Sequence, residues 1–296
     1  MDLEIEGLSK RYPNGVQALR DVSLRISPGM FGLLGRNGAG KSTLMRILAT
    51  LQEADSGSAR LGDIDVLRDK ERVRRCLGYL PQEFGLYPKV TALDLLDHLA
   101  RLKGIGDARQ RREVVAALLQ RTNLYDARHR RLGGFSGGMK QRFGIAQALL
   151  GNPKLVIVDE PTAGLDPEER VRFHNLLADI ASDVIVILST HIVSDVEDLC
   201  HEFAVINKGQ LLVTGKPATL VGELAGRMYM RVVDKADAES VKREARVVST
   251  RLAAGRTVVR AYGETAPPGF DPVAPDLEDV YFCTIAGYLA PTARVA

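Results

Sequence analysis

Apolar and polar residues alternate over residues 2–6, and Val22, Leu24 and Ile26 repeat the pattern. A period of two is that of a strand with one buried face. The first segment is expected at a sheet edge, with a turn-rich stretch over residues 7–15 after it. The second stops at Ser27-Pro28-Gly29, and a third strand follows over residues 30–34. Residues 55–58 (Asp-Ser-Gly-Ser) read as a turn, residues 59–66 as a strand folded at Gly62-Asp63, and residues 77–80 as a short strand. The period then changes. Leu93, Leu95, Leu96, Leu99 and Leu102 recur at helical spacing behind an N-capping Thr91, with Asp94 at the third helical position. Residues 107–124 predict a second helix, with Arg109, Arg111 and Arg112 on one side and Val114, Val115, Leu118 and Leu119 on another. No strand interrupts residues 91–150, so they are expected to form a helical subdomain inserted in an α/β domain.

Strands return as the continuous apolar runs 155–158 and 184–188. Such runs suit strands buried on both faces, as in a parallel sheet covered by helices. Helices over 167–180 and 194–200 separate and follow them, and a hairpin over 203–207 and 211–214 closes the region. Beyond about residue 220 the composition shifts. Strands are expected over 228–233, 245–251 and 256–262, a helix over 236–243, a Pro- and Gly-rich loop over 264–275 and a last helix over 277–289. The expected division is a domain of residues 1–220 and a small accessory domain of residues 221–296.

The chemistry begins at residues 35–43, Gly-Arg-Asn-Gly-Ala-Gly-Lys-Ser-Thr. A glycine, four residues, then Gly-Lys-Ser between a strand and a helix is the pattern of a phosphate-binding loop. Gly35, Gly38 and Gly40 let the backbone approach an anion without a clashing Cβ. Asn37, Ala39 and Thr43 complete the nucleotide-binding stretch. Consecutive N–H groups at a helix N-terminus then favour a β-phosphate. Lys41 is expected on the β- and γ-phosphates and the Ser42 hydroxyl on Mg²⁺.

Composition narrows the class. The chain has 296 residues, with 40 Lys and Arg against 37 Asp and Glu, a formal charge of +3. That balance lacks the basic excess expected of a nucleic-acid binder. Three cysteines, far apart and without a CxxC pair, argue against a disulfide framework or a zinc site. The acidic start reads as no signal peptide, and no apolar run is long enough to span a bilayer. A role at a membrane would need another polypeptide to cross it.

Two further segments complete a site. A phosphate loop needs an acidic partner for the metal at the end of a neighbouring buried strand, and Asp159 fits that place. Glu160, one residue on, is a candidate general base for an attacking water. Residues 135–142, Phe-Ser-Gly-Gly-Met-Lys-Gln-Arg, open a helix that Ser136 can cap, with Gly137 and Gly138 exposing N–H groups at its positive end. A single nucleotide does not need two anion sites from one chain. A head-to-tail dimer does, each nucleotide lying between the phosphate loop of one subunit and this helix start of the other.

Together these motifs resemble the ATP-binding cassette ATPases, the nucleotide-binding subunits of ABC transporters, over residues 2 to about 220. The resemblance implies an α/β P-loop NTPase core with a mixed sheet and a helical signature subdomain, followed here by a small C-terminal α+β domain. It implies that Gln82 is the Q-loop glutamine near metal and water. It also implies that residues 163–166 (Ala-Gly-Leu-Asp), ending at Asp166, cross the dimer, that His191 contacts the γ-phosphate and that Tyr12 stacks on adenine. Phe135 and Met139 depart from the commonest signature, Leu first and Gln last, and Met139 removes a polar side chain at the interface. The catalytic set is then Lys41, Gln82, Glu160 and His191, and the metal set Ser42, Gln82 and Asp159, acting on Mg·ATP. Implied partners are a second copy and a separate membrane permease, with the protein peripheral on the inner face of the membrane. Residues 277–282, Leu-Glu-Asp-Val-Tyr-Phe, resemble the tail of members paired with export permeases. Arg109, Arg111, Arg112, Arg128, Arg130 and Arg131 read as solvated faces or as contacts to a permease or lipid. A rival reading is an ABC ATPase of translation or DNA repair. The chain carries one cassette, and 53 residues between Gln82 and Ser136 leave no room for a long coiled coil. A small-molecule P-loop kinase would have no use for the signature.

Overall fold

The computed structural model describes residues 1–162, 164–182 and 184–289. The chain opens with β1 (Leu3–Arg11), β2 (Gln17–Ile26), β3 (Gly29–Leu34), α1 (Lys41–Leu48), β4 (Ser56–Leu61), β5 (Ile64–Asp65), α2 (Lys70–Cys76) and β6 (Leu77–Leu80). Three helices follow, α3 (Ala92–Leu102), α4 (Ala108–Arg121) and α5 (Gly137–Ala148). Next come β7 (Leu155–Asp159), α6 (Pro167–Ile180), β8 (Ile185–Thr190), α7 (Val193–Leu199), β9 (Glu202–Asn207), β10 (Gln210–Gly215) and α8 (Pro217–Glu223). The C-terminal elements are β11 (Met228–Val233), α9 (Ala238–Glu244), β12 (Arg246–Ala253), β13 (Arg256–Tyr262), β14 (Asp271–Pro272) and α10 (Leu277–Ala286).

The central sheet runs β10-β9-β3-β8-β7-β6, parallel except for the β9–β10 hairpin. Its strands are apolar on both faces because each face meets a different core. Phe31, Leu33, Leu155, Ile157, Ile185 and Ile187 pack with α1 and an antiparallel sheet of order β2-β1-β4-β5. The intervening Met30, Leu34, Val156, Val158, Val186 and Leu188 pack with Phe173 and Leu177 of α6 and Val196 of α7. Helices α3, α4 and α5 share a third core around Leu96, Val115, Leu119, Phe135 and Phe143. A third sheet, β12-β13-β11-β14, is wholly antiparallel.

Several expectations are corrected. The first strand is not at an edge, since β1 lies between β2 and β4. The chain turns only over residues 12–16, and β1 also runs on to Arg11, into the stretch read as turn-rich. Gly7, at φ 59°, absorbs a bulge there, and its N–H is satisfied by Ser23 Oγ at 3.0 Å. The supposed turn at 55–58 is mostly the start of β4. A Cβ on Gly57 would lie 2.6 Å from the Gly7 carbonyl, so the glycine serves close strand approach rather than chain reversal. Helices α2 and α8 and the short β14 were not foreseen. Arg111 is not on a solvated face. It is buried, bonded to Asp97 Oδ1 at 2.7 Å and to the carbonyls of Ile105 and Gly106. Strand β7 is separated from β3 by β8, so Asp159 stands on the next strand but one from the phosphate loop.

Helix α10 turns the residues of the tail motif inward. Leu277, Val280 and Tyr281 are buried beside α7, α8 and β10, while Glu278 is exposed. Asp276 and Asp279 form a capping box, and the Asp279 carboxylate, 1% exposed, takes a two-pronged grip from Arg260 of β13. Replacing Asp279 by Ala leaves a mostly buried guanidinium with the Ala274 carbonyl at 3.0 Å and the more exposed Asp276 carboxylate at 3.5 Å, a loss that should cost about 2 kcal/mol. Glu278→Ala should change stability by less than about 0.5 kcal/mol. Urea unfolding midpoints of the two variants check the contrast.

Candidate active site

The phosphate loop leaves the C-terminal end of β3 and enters α1 at Gly40, whose φ of 111° only glycine adopts at ease. Crowding dictates small residues elsewhere too. A Cβ on Gly35 would meet the Ile206 carbonyl at 2.5 Å, and one on Gly40 the Ala18 carbonyl at 2.6 Å. Gly38, at φ 80°, faces open space. Lys41 folds back beneath the loop. Its Nζ donates to the Gly35 carbonyl at 2.7 Å and lies 3.3 Å from Glu160 Oε1, with 4% of the side chain exposed. The Arg36 carbonyl stands at 3.4 Å, so the ammonium's three donors face two loop carbonyls and a carboxylate, and a phosphate must compete with the longer two of these contacts.

Glu160 follows β7 in a left-handed conformation, φ 49°, with its N–H bonded to the Ser189 carbonyl at 2.8 Å. That turn carries its carboxylate away from the strand and toward Lys41. The second carboxylate oxygen lies 2.9 Å from His191 Nδ1, just beyond β8. Glu160 is thereby held between a cation of α1 and the imidazole that follows β8. Asp159, the last residue of β7, is 3% exposed, and its Oδ1 has no hydrogen-bond partner among the described residues. A buried carboxylate oxygen in that state fits a cation. With the Ser42 hydroxyl and the Gln82 amide, the donor set is all oxygen, which suits Mg²⁺.

A cleft of about 360 Å³ brings together Tyr12, Asn37, Gly38, Gly40, Lys41, Ser42, Thr43, Gln82 and Glu160. Gly35 and Ala39 lie buried beneath it. The Tyr12 hydroxyl shares a hydrogen bond with Thr43 Oγ1 at 3.1 Å, which ties the aromatic ring to the loop. Val16, Gln17 and Ala18 of the β1–β2 connection and β2 also line the cleft, as does Arg36. Sequence reading passed over them because no pattern marks a strand whose backbone supports a distant loop.

The signature residues do not line this cleft. Ser136 caps α5 by accepting from Met139 N at 3.2 Å, Gly137 is exposed, and Gly138 is buried. Gly137 and Gln82 instead border a second cleft of about 620 Å³. Asp166 is exposed and caps α6 through Glu169 N at 2.8 Å. Ala163, the first residue of that loop motif, lies outside the described residues. One subunit therefore presents the phosphate loop and the capped signature helix at separate places.

Comparison with known proteins places the arrangement. A family model described as ABC transporter matches residues 19–163. The probable multidrug ABC transporter ATP-binding protein YbhF of Escherichia coli is 37% identical over 231 residues, 77% of this chain and 40% of that protein. The chain thus spans well under two thirds of that relative. The daunorubicin/doxorubicin resistance ATP-binding protein DrrA of Streptomyces peucetius is 35% identical over 266 residues, 89% of this chain and 79% of that one. Among solved structures, an ATP-binding subunit of an ABC transporter matches with a TM-score of 0.67 at 29% identity, over 75% of this chain and 93% of that chain. A dimeric post-hydrolysis ATP-binding cassette bound to ADP and Pi matches with a TM-score of 0.66 at 26% identity, over 72% of this chain and 98% of that chain. No described helix is long and apolar enough to cross a membrane. The chain belongs to the ATP-binding proteins of ABC transporters, the ATP-binding cassette ATPases.

Proposed function

We propose that two copies of this chain close around two ATP molecules, hydrolyse them and drive a separate membrane permease. The observation that carries the reading is Glu160, held between Lys41 and His191 at the edge of the phosphate-loop cleft. A carboxylate so placed can take a proton from water aimed at the γ-phosphate. Water's oxygen bonds to the γ-phosphorus in line as the bond to ADP breaks. The loop N–H groups and Lys41 bind phosphate oxygens, and His191 orients Glu160 and reaches the γ-phosphate. Tyr12 stacks on adenine. Ser42, Gln82 and Asp159 would hold Mg²⁺, which would neutralise charge building on the β- and γ-oxygens. Gln82 borders both clefts and Asp166 is exposed before α6, so both are open to neighbours that sense nucleotide.

The signature helix supports the homodimer. Its capped start, Ser136 with Gly137 and Gly138, lines no part of its own phosphate cleft, so its N–H groups are available to the nucleotide of a second copy. In this reading the permease is a separate chain, and the protein sits on the inner face of the membrane. Residues 1–220 are the cassette, with the helical subdomain at about 91–150, and residues 221–296 an accessory domain. The direction is export. The tail motif supports that direction, as do relatives named for daunorubicin/doxorubicin resistance and for Nod factor export.

Glu160→Gln keeps the volume and removes the base. It should lower turnover by at least about 10²-fold and trap an ATP-bound dimer that elutes earlier in gel filtration. Hydrolysis at the parental rate would sink the assignment. Lys41→Ala should weaken ATP binding about 10- to 100-fold, the worth of one or two charge-assisted hydrogen bonds, measured by calorimetry. Asp159→Asn should raise the Mg²⁺ concentration for half-maximal hydrolysis while metal-free ATP binding persists. Unchanged Mg²⁺ dependence would remove Asp159 from the metal set. Purification from solubilised membranes should bring down an integral protein only when the permease is expressed.

A further inference from the structure

Behind the site lies a buried carboxylate that none of these roles uses. Asp195 of α7 is fully buried. Its Oδ1 accepts from Arg170 Nε at 3.0 Å, pairs with the same guanidinium's Nη2 at 2.7 Å and lies 3.1 Å from His174 Nε2. Its Oδ2 accepts from Thr162 Oγ1 at 2.7 Å and Thr190 Oγ1 at 3.3 Å. Burial pushes the Asp195 pKa up. The bonds from His174 and Thr162 and the charge of Arg170 outweigh this and hold it below the usual carboxylate range, so the group is ionised. Each hydroxyl belongs to a catalytic segment. Thr162 stands two residues beyond Glu160, and Thr190 directly precedes His191, where its oxygen also accepts from Ile192 N at 3.0 Å. One carboxylate thus fixes the ends of β7 and β8 to each other and, through Arg170, to α6.

The residue before Arg170 reaches in a different direction. The Glu169 carboxylate takes Arg142 Nη2 of α5 at 3.3 Å and stands 3.6 Å from Arg172 Nη1. It also fills the space beside the signature helix start, since a Cβ on Gly138 would lie 2.3 Å from Glu169 Oε2. Arg142 closes the contact by donating to the Gly138 carbonyl at 3.4 Å. Two consecutive side chains in the first turn of α6 therefore grip two different machines. Arg170 holds the frame of Glu160 and His191. Glu169 holds the signature helix.

In a head-to-tail dimer those machines serve different nucleotides. We propose that Glu169 and Arg170 are positioning residues that couple the two ATP sites, transmitting through α6 between the site to which this subunit gives Glu160 and the site to which it gives Ser136. The proposal rests on the composite dimer described above. Movement of the signature helix against one nucleotide would shift Glu169, hence the first turn of α6, hence Arg170, Asp195 and the strand ends behind the other. Both grips are charge-assisted and forked or sterically filled, so they transmit displacement rather than merely tolerate it.

The test measures the ATP dependence of hydrolysis in full-length Glu169→Gln, Arg170→Lys, Arg142→Lys and the double variant Glu169→Gln/Arg170→Lys. ATP affinity of the subunit at low protein concentration and the thermal midpoint are followed in parallel. The parent is expected to hydrolyse with a Hill coefficient approaching 2, the number of coupled sites. Each single variant should bring it toward 1, with ATP affinity within about threefold of the parent. The double variant should match the singles, because a relay cut once is cut. A lower midpoint or rate with the parental Hill coefficient would show a structural role alone and overturn the proposal, as would variants indistinguishable from the parent. Failure of the composite dimer itself shows separately: a Glu160→Gln protein that stays monomeric with ATP removes both readings.

Discussion

A lysine with 4% of its side chain exposed must find partners for its charge within the fold. Lys41 takes one from the loop that precedes it and one from the strand end across the sheet, and this double attachment organises the site. The Gly35 and Arg36 carbonyls keep the ammonium under the loop. The Glu160 carboxylate balances the remaining charge, and Glu160 can do so only because its backbone leaves β7 in the left-handed region. That turn also brings it to His191. Lys41, Glu160 and His191 are thus bound into one electrostatic unit whose parts come from three separate stretches of chain.

Much of this was legible in the sequence, because the informative signals are local. The phosphate loop announces itself through glycines and their flanks. The runs before Asp159 and before Ser189-Thr190-His191 are apolar without a break, which a strand between two cores requires. Ser136 and Thr91 read as caps from their own neighbours, and both cap. What was hidden depends on partners distant in sequence. Nothing near Gly57 says that a strand will pass within van der Waals contact of it. Nothing near Arg111 says that Asp97 and the turn at 105–106 will bury it. The edge placement of β1 failed for the same reason, since alternation reports one buried face and not what pairs with either flank.

The hub at Asp195 is the sharper case. Thr162, Arg170, His174, Thr190 and Asp195 are ordinary residues in ordinary places on the sequence. Only the packing of α6 and α7 against the sheet brings their polar atoms around one carboxylate. Buried polar groups of this kind are costly when half satisfied and rigid when complete, and this one is complete: each Asp195 oxygen has at least two donors or potential donors. The interior therefore holds the segments around Glu160 and His191 by directional bonds as well as by apolar packing, which alone would let strand ends slide.

Strand β7 sends alternate residues into different cores, Leu155 and Ile157 to one side and Val156 and Val158 to the other. A slip of one residue would exchange both sets at once, against two unlike surfaces. The strand is keyed like a shaft with teeth on opposite sides. The position of Asp159 and Glu160 at its tip is consequently a property of the whole sheet, and the accuracy of a water's approach to phosphate is stored in side chains that never meet either one.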